Sequence, residues 1–281
     1  MLNYFKQSLK RKIARRVTKE YLPVIATYDM KEVGKIEFAN WSNPLVLQIK
    51  PDAAMVRFFQ QFIKEGDFVI DIGANIGDTT VPMALAAGST GLTLAFDPNP
   101  FAFKILEKNA SLNTGLTNIK PIPFAISKED EEYYFISSEA SFGNGAISSS
   151  RESIHGKFIY EKKVKGVNLE KFLSENYNDW LPNLSFIKVD AEGYDKEIIK
   201  SISSLINKYK PVVVAECFDG LSKDEKIELF NILSGFGYRI CYFADFDNHA
   251  EVLRLADPTD MLRKETFNLY AVPNDFTGSV L

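Results

Sequence analysis

The sequence predicts an α/β fold: a doubly wound, mostly parallel sheet with an antiparallel last strand, preceded by an N-terminal helix and a small β addition. Three observations carry that prediction. From Asp67 onward, short apolar runs alternate with segments of helical period, the pattern of strand–helix units around a parallel sheet. Runs such as Leu92-Thr-Leu-Ala-Phe96 and Val212-Val-Val-Ala-Glu216 are continuously apolar until they end, so both faces of the sheet are covered. The last two runs, 238–244 and 267–272, have no strong helix between them, which predicts a closing hairpin.

The first 20 residues read as a basic amphipathic helix. Tyr4/Phe5, Leu9, Ile13 and Val17 recur every four residues among seven cations, with Glu20 the single acid. That segment carries a balance of +6 and leaves the rest of a chain of net charge −4 at −10. An acidic body with a basic arm is not the footprint of a nucleic-acid-binding domain. The stripe either packs on the body or makes a peripheral membrane contact. Residues 21–66 form the small addition, with β-rich runs at 24–28, 35–38 and 45–49 and a helix from Pro51 to about Lys64, closed by Gly66.

Residues 67–281 then form the main domain. Strands are predicted at 67–72, 91–96, 118–124 and 133–136, then at 184–189, 212–216, 238–244 and 267–272. Helices follow at roughly 78–87, 99–112 and 194–206, and from Ser222 to about Ser234, where Ser222 and Glu225 have capping-box spacing. The stretch 137–166 is rich in serine and glycine, with a strand-like Phe158-Ile-Tyr160, and reads as a long polar loop facing a substrate rather than as a disordered insert. With 46% hydrophobic and 25% charged residues the composition is that of a soluble globular protein. No run reaches the ~18–20 residues of a membrane-crossing helix, and the N-terminus lacks the apolar core of a signal peptide. Cys217 and Cys241 fall in or beside predicted strands and read as buried thiols. A cytoplasmic protein is expected, with residues 1–20 a candidate contact to the inner membrane face.

Two motifs carry chemistry. Val69-Ile-Asp-Ile-Gly-Ala-Asn-Ile-Gly-Asp-Thr-Thr80 is a strand that stops at a glycine-lined turn and feeds a helix, placing unpaired N–H groups toward one spot. The spacing Gly73-x-Asn75-x-Gly77 is not the dinucleotide fingerprint. Asp97-Pro98-Asn99-Pro100 ends the second strand about 20 residues beyond Gly77, where an acid accepts hydrogen bonds from a ribose diol. NAD and S-adenosylmethionine share that diol. The plainer alternative is a tight turn that needs small residues.

The second motif is Lys188-Val-Asp190-Ala-Glu192-Gly193-Tyr194-Asp195 at the end of a central strand. Ligands bind outside the carboxyl ends of such strands, where strand order reverses. Asp190 is therefore expected opposite the glycine turn, on the same face as Lys188. A lysine there needs a carboxylate partner, with Asp190 and Glu216 as candidates. Asp190 and Glu192 are candidate general bases, and so is His155 in the polar loop. The alternative is a buried ion-pair network that orders the sheet. Asp190, Glu192 and Asp195 could also hold a divalent metal, although no complete ligand set is fixed by their spacing.

These blocks resemble the FkbM family of S-adenosylmethionine-dependent methyltransferases. The resemblance rests on Val69–Thr80, on Ala95–Pro100 with Lys108-Asn109 and Leu112-Asn113, on Val167–Leu173 and on Ile187–Gly193, and it spans roughly residues 51–273. It implies a class I methyltransferase (Rossmann-like) fold, S-adenosylmethionine as cofactor, and O-methylation of a sugar, glycan or natural product. It implies that Gly73, Asn75 and Gly77 line the methionine part, that Asp71 fixes the turn, and that Asp78 and Thr79 stand at the helix start. Asp97, followed by Pro98, would hold the ribose, Ala125 and Ile126 would flank the adenine, and Asp190 would sit near the methyl group. Asp97 stands where related sequences commonly have Glu. The basic N-terminus hints at a lipid-linked acceptor. A nicotinamide-dependent sugar oxidoreductase and a non-catalytic binding domain of the same fold are the rival readings.

Overall fold

A computed structural model describes residues 2–152, 156–191, 193–218 and 220–278. The chain opens with α1 (Leu2–Ala14), followed by the hairpin β1 (Pro23–Met30) and β2 (Gly34–Trp41) and by α2 (Ala53–Gln60). The predicted strand at 45–49 is not formed. The Asn40 side chain instead donates to the Ile49 carbonyl at 2.8 Å and accepts from the Ile49 N–H at 2.6 Å, which satisfies that backbone without a ladder. The Asp52 carboxylate caps α2 by accepting from the Ala54 N–H. The stripe of α1 faces solvent rather than the body.

Strands and helices then alternate as β3 (Phe68–Ile72), α3 (Thr80–Ala87), β4 (Leu92–Phe96), α4 (Ala102–Ser111) and β5 (Ile119–Ile122). Next come β6 (Phe124–Ile126), β7 (Glu131–Ser137), β8 (Ala146–Ser148), β9 (Phe158–Ile159), β10 (Val164–Val167) and α5 (Leu169–Asn176). The chain closes with β11 (Leu184–Val189), α6 (Asp195–Ser201), α7 (Ser203–Tyr209), β12 (Val212–Cys217), α8 (Lys223–Gly235), β13 (Tyr238–Phe243), β14 (Val252–Leu255) and β15 (Phe267–Pro273). The helix expected over 194–206 is thus two helices, joined at Ile202. The capping box at the start of α8 is present in both halves.

The main sheet has the order β14-β13-β15-β12-β11-β3-β4-β5. β12, β11, β3, β4 and β5 run parallel, and β15 runs antiparallel between β12 and β13. The expected closing hairpin is real, but its last strand inserts into the sheet, and β14 adds an antiparallel edge beyond it. Alternate residues of each central strand feed opposite faces, as the pleat requires. Phe68, Ile70 and Ile72 of β3 pack toward α5–α8. Val69 packs with Phe186, Tyr270 and the Phe58, Phe59 and Phe62 rings of α2 and the turn that follows it. Cys217 and Cys241 are buried free thiols. No helix among the described residues is long and apolar enough to cross a membrane.

The segment read as a polar loop holds strands. β6, β10, β7 and β8 form a second sheet, to which β9 adds through β7. β5 lies at the edge of the main sheet, where Pro121 is tolerated. Pro123 then breaks the ladder, and the chain leaves as β6 to pair with β10. The pairing partners lie up to about forty residues apart, which is why a local pattern did not reveal them.

Candidate active site

The site lies at the carboxyl ends of β3, β4 and β11, where the order turns from β3-β4-β5 on one side to β11-β12 on the other. A crevice of about 970 Å³ opens there, floored by these strand tips and walled by the second sheet.

Gly73 begins the turn with φ +77°. A Cβ at this position would stand 1.8 Å from the Asp190 carbonyl oxygen. The missing side chain therefore makes room for the neighbouring strand end, and the Gly73 main chain lines the crevice. Asn75 and Gly77 also have positive φ. The turn is held from below by Asp71, which is fully buried. Its Oδ2 accepts from the hydroxyls of Thr80 at 2.6 Å and Thr79 at 3.2 Å, and Lys188 Nζ stands 3.4 Å from its Oδ1. Residues 75–79 are consequently turns, and α3 starts at Thr80 rather than at Asp78.

Lys188 sits directly across the ladder from Asp71. It also pairs with Asp190 at 3.2 Å. Burial alone would push the Lys188 ammonium down, but Asp190, Asp71 and Asp78 together push it up, so it stays charged. The expected partner Asp190 is confirmed, and Asp71 is a second partner that the sequence did not suggest. Asp190 itself is 45% exposed at the crevice, and its backbone N–H donates to the Ile72 carbonyl, which locks the two strand tips together. Burial pushes the half-buried Asp78 carboxyl up, against the pull of Lys188.

Asp97 ends β4 with its side chain 6% exposed. Its Oδ2 accepts from the Asn75 N–H at 2.7 Å and its Oδ1 from the Asn99 N–H at 2.8 Å. Burial pushes its carboxyl up to about 7, although those two N–H groups pull the other way. Pro98, Ala125 and Ile126 line the crevice beside it, as do Gly73, Asn75, Asp78, Thr79 and Asp190. Asp71 and Gly77 act from beneath; Gly77 faces Leu106 of α4. Glu192 and His155, the other candidate bases, lie outside the described residues.

Of the three carboxylates considered for a metal, Glu192 lies outside the described residues, and Asp195 joins no metal-holding group among the described ones. Its carboxylate is turned inward, accepting from the N–H groups of Ala191, Gly193 and Glu216 at 3.3–3.4 Å. Burial, with Asp190 nearby, pushes it up to about 7. Among the described residues, no group of three His, Cys, Asp or Glu side chains is placed to hold a metal ion.

Several participants were missed. Tyr133 and Phe135 of β7 line the crevice, and their i, i+2 spacing was the available signal. Gly166 of β10 leaves room for the Tyr133 ring, which a Cβ would meet at 2.4 Å. Asn99 accepts at Oδ1 from the Phe101 N–H just before α4. Its Nδ2 also donates to the Phe142 carbonyl at 2.8 Å, joining the two walls. Asn109 and Asn113 are structural. Their amides bond the backbones of Ala39 and Glu37 as a neighbouring strand would, tying β2 to α4.

The family model described as Methyltransferase FkbM domain matches residues 71–240. Hexuronic acid methyltransferase AglP of Haloferax volcanii is 22% identical over 169 residues, covering 60% of this chain and 64% of that protein. Methyltransferase sdnD of Sordaria araneosa is 26% identical over 156 residues, covering 48% of this chain and 60% of that protein. The chain thus spans less than two thirds of the length of these relatives. A solved FkbM methyltransferase from Methylobacillus flagellatus KT aligns over 75% of this chain and 44% of that one, with TM-score 0.46 and 15% identity.

Proposed function

Since the chain belongs to the FkbM methyltransferase family, we propose that it is an S-adenosylmethionine-dependent O-methyltransferase acting on a hydroxyl of a sugar, glycan or natural product. The observation that carries the reading is the Asp97 carboxylate. It is buried at a strand tip and anchored by one N–H on each oxygen. A carboxylate oxygen has two acceptor sites, so each can take a second bond, one from each hydroxyl of a ribose diol. Burial disfavours the Asp97 charge in the free protein, and two hydroxyl donors would favour it again. The Gly73–Asn75 main chain would hold the amino-acid end, while Ala125 and Ile126 offer the apolar slot an adenine needs. S-adenosylmethionine, when bound, supplies a methyl group made electrophilic by its positively charged sulfur.

The chain's own residues then orient the acceptor and move one proton. Asp190 stands at the tip of β11 beside Gly73, 3.2 Å from the buried ammonium of Lys188. A fixed carboxylate there can take the proton of an acceptor hydroxyl as its oxygen approaches the methyl group. Asn144, Ser148 and Ser149 line the far side of the crevice, which suits a hydroxyl-bearing acceptor. The name of the Haloferax volcanii relative supports a sugar acid as the first class to test.

Asp190→Asn should lower turnover about 10²–10⁴-fold while leaving the S-adenosylhomocysteine dissociation constant within about twofold. The pair of measurements is methyl transfer to a panel of hexuronic acids and glycosides, and calorimetric titration. Equal turnover in the variant would remove Asp190 as the base. If the protein bound NAD but not S-adenosylhomocysteine, the cofactor assignment would fall.

A further inference from the structure

We propose that α1 docks the protein on an anionic membrane surface. The helix continues for one turn past Ala14, where the Val17 N–H donates to the Ile13 carbonyl at 2.9 Å. Phe5, Leu9, Ile13 and Val17 therefore lie along one stripe. All four point to solvent, with exposures of 64%, 59%, 44% and 52%. The helix meets the body on its other side. Ala14 is fully buried, Arg11 Nε donates to the Pro44 carbonyl at 3.2 Å, and the Arg15 carbonyl accepts from the Ala140 N–H at 3.3 Å. At about 100° per residue, Arg11 lies about 160° around the helix from both Leu9 and Ile13, and Ala14 about 140° from Leu9.

Charge selects the occupant of the stripe. Lys12 and Arg16 border it on one side and Lys6 and Lys10 on the other, all exposed. Among the described residues no ion pair joins these four to the acidic body. An apolar stripe between two rows of cations fits an interfacial helix: the apolar side chains enter the headgroup boundary and the cations reach lipid phosphates. A protein partner would face the same cations across a drier interface, where their desolvation opposes binding.

Position gives the docking a use. The carboxyl end of α1 is bonded to Ala140, the Phe142 carbonyl is bonded to Asn99, and residues 143–149 line the crevice. The docked helix would set the acceptor wall close to the bilayer, where a lipid-carried acceptor is presented. That consequence rests on the methyl-transfer reading; the docking does not.

Flotation of the intact protein with phosphatidylcholine vesicles, with and without phosphatidylglycerol, tests the proposal. Binding is expected only to the anionic vesicles, and it should weaken as salt shortens the Debye length to about 3 Å. The Leu9→Glu/Ile13→Glu double variant should lose about tenfold or more in partitioning. Its melting temperature and S-adenosylhomocysteine affinity should not change, because both side chains face solvent. Equal flotation of variant and parent overturns the proposal, and so does absence of binding to the anionic vesicles. A vesicle-free dimer that the double variant dissolves would also overturn it by assigning the stripe to a second copy. Failure to bind S-adenosylhomocysteine in parent and variant alike would strike the cofactor reading and leave docking intact.

Discussion

In the proposed methyl transfer the crevice has a donor wall and an acceptor wall; the donor wall, at the tips of β3, β4 and β11, is held by carboxylates turned into the protein. The acceptor wall is carried by short strands and stacked rings. In the first, Asp71 gathers two hydroxyls and a lysine, Asp97 gathers two N–H groups, and Asp195 gathers three. Each fixes a stretch of backbone before any ligand arrives, which is what positioning chemistry needs. In the second, Phe101 stacks on Phe142 at 5.1 Å, and Arg151 and Lys163 lie over the Tyr134 ring. Such contacts leave neighbouring side chains free to vary without disturbing the frame. If the protein transfers a methyl group as proposed, the difference teaches that recognition of the donor is written in the backbone, whereas recognition of the acceptor is written in replaceable side chains.

The most severe way to break the contrast is Gly73→Ala. The new Cβ would meet the Asp190 carbonyl oxygen at 1.8 Å, in a backbone conformation that strains any L residue. A backbone atom cannot swing aside as a side-chain tip can. β3 and β11 would have to part, and both donor-wall anchors would shift with them. We expect a loss above about 4 kcal/mol of stability, or no soluble protein, measured by chemical denaturation. A variant that melts within about 1 kcal/mol of the parent would show that the two strand tips are not rigidly joined.

Asp97→Asn should act on binding more than on folding. Removing charge-assisted acceptance from two hydroxyls should weaken S-adenosylhomocysteine about a hundredfold. The pH dependence sharpens the point. With Asp97 pushed up to about 7 in the free protein, a donor that favours the carboxylate must displace a proton below that value. Affinity should therefore fall with decreasing pH below about 7 and be level above it, and Asp97→Asn should abolish the slope. The folded value lies above the ~3.9 of an unfolded aspartate. Its contribution to free-protein stability is thus full below about pH 4 and is lost as the pH rises through 7. A pH-independent affinity in the parent would show that Asp97 does not grip the diol.

The same contrast explains what could be read from the sequence. The donor wall is legible because each of its positions answers a local rule: a glycine where φ is positive, an acid where a strand stops, a threonine where a helix starts. The parallel sheet was equally legible from its uninterrupted apolar runs. The helix expected at Asp78 began two residues later because Asp71, on another element, takes the Thr79 and Thr80 hydroxyls. Strands at 133–136 and 158–160 were legible and are β7 and β9, but their assembly into a second sheet was hidden because Gly166 meets Tyr133, and Phe124 meets Lys165, through pairings between distant strands. The placement of β15 between β12 and β13 depends on which neighbour offers the longer ladder, and no local pattern states that. The direction of the α1 stripe was open for the same reason, since periodicity finds a face but not what lies against it.

Asn144 gives the smallest effect and the finest test of the acceptor wall. Its Oδ1 accepts from the Ser137 and Ser138 hydroxyls at 3.4 Å each, long bonds that add little to stability. The residue is exposed at the crevice, where its amide nitrogen can donate to an acceptor oxygen. Asn144→Ala should change stability by less than about 0.5 kcal/mol and leave the S-adenosylhomocysteine affinity alone. It should raise the acceptor KM about five- to tenfold, the worth of one neutral hydrogen bond. Steady-state kinetics with the acceptor varied at saturating donor measures this directly. If Asn144→Ala weakened the donor as much as the acceptor, the two walls would be coupled through the Asn99–Phe142 bond, and the division between backbone-read donor and side-chain-read acceptor would not hold.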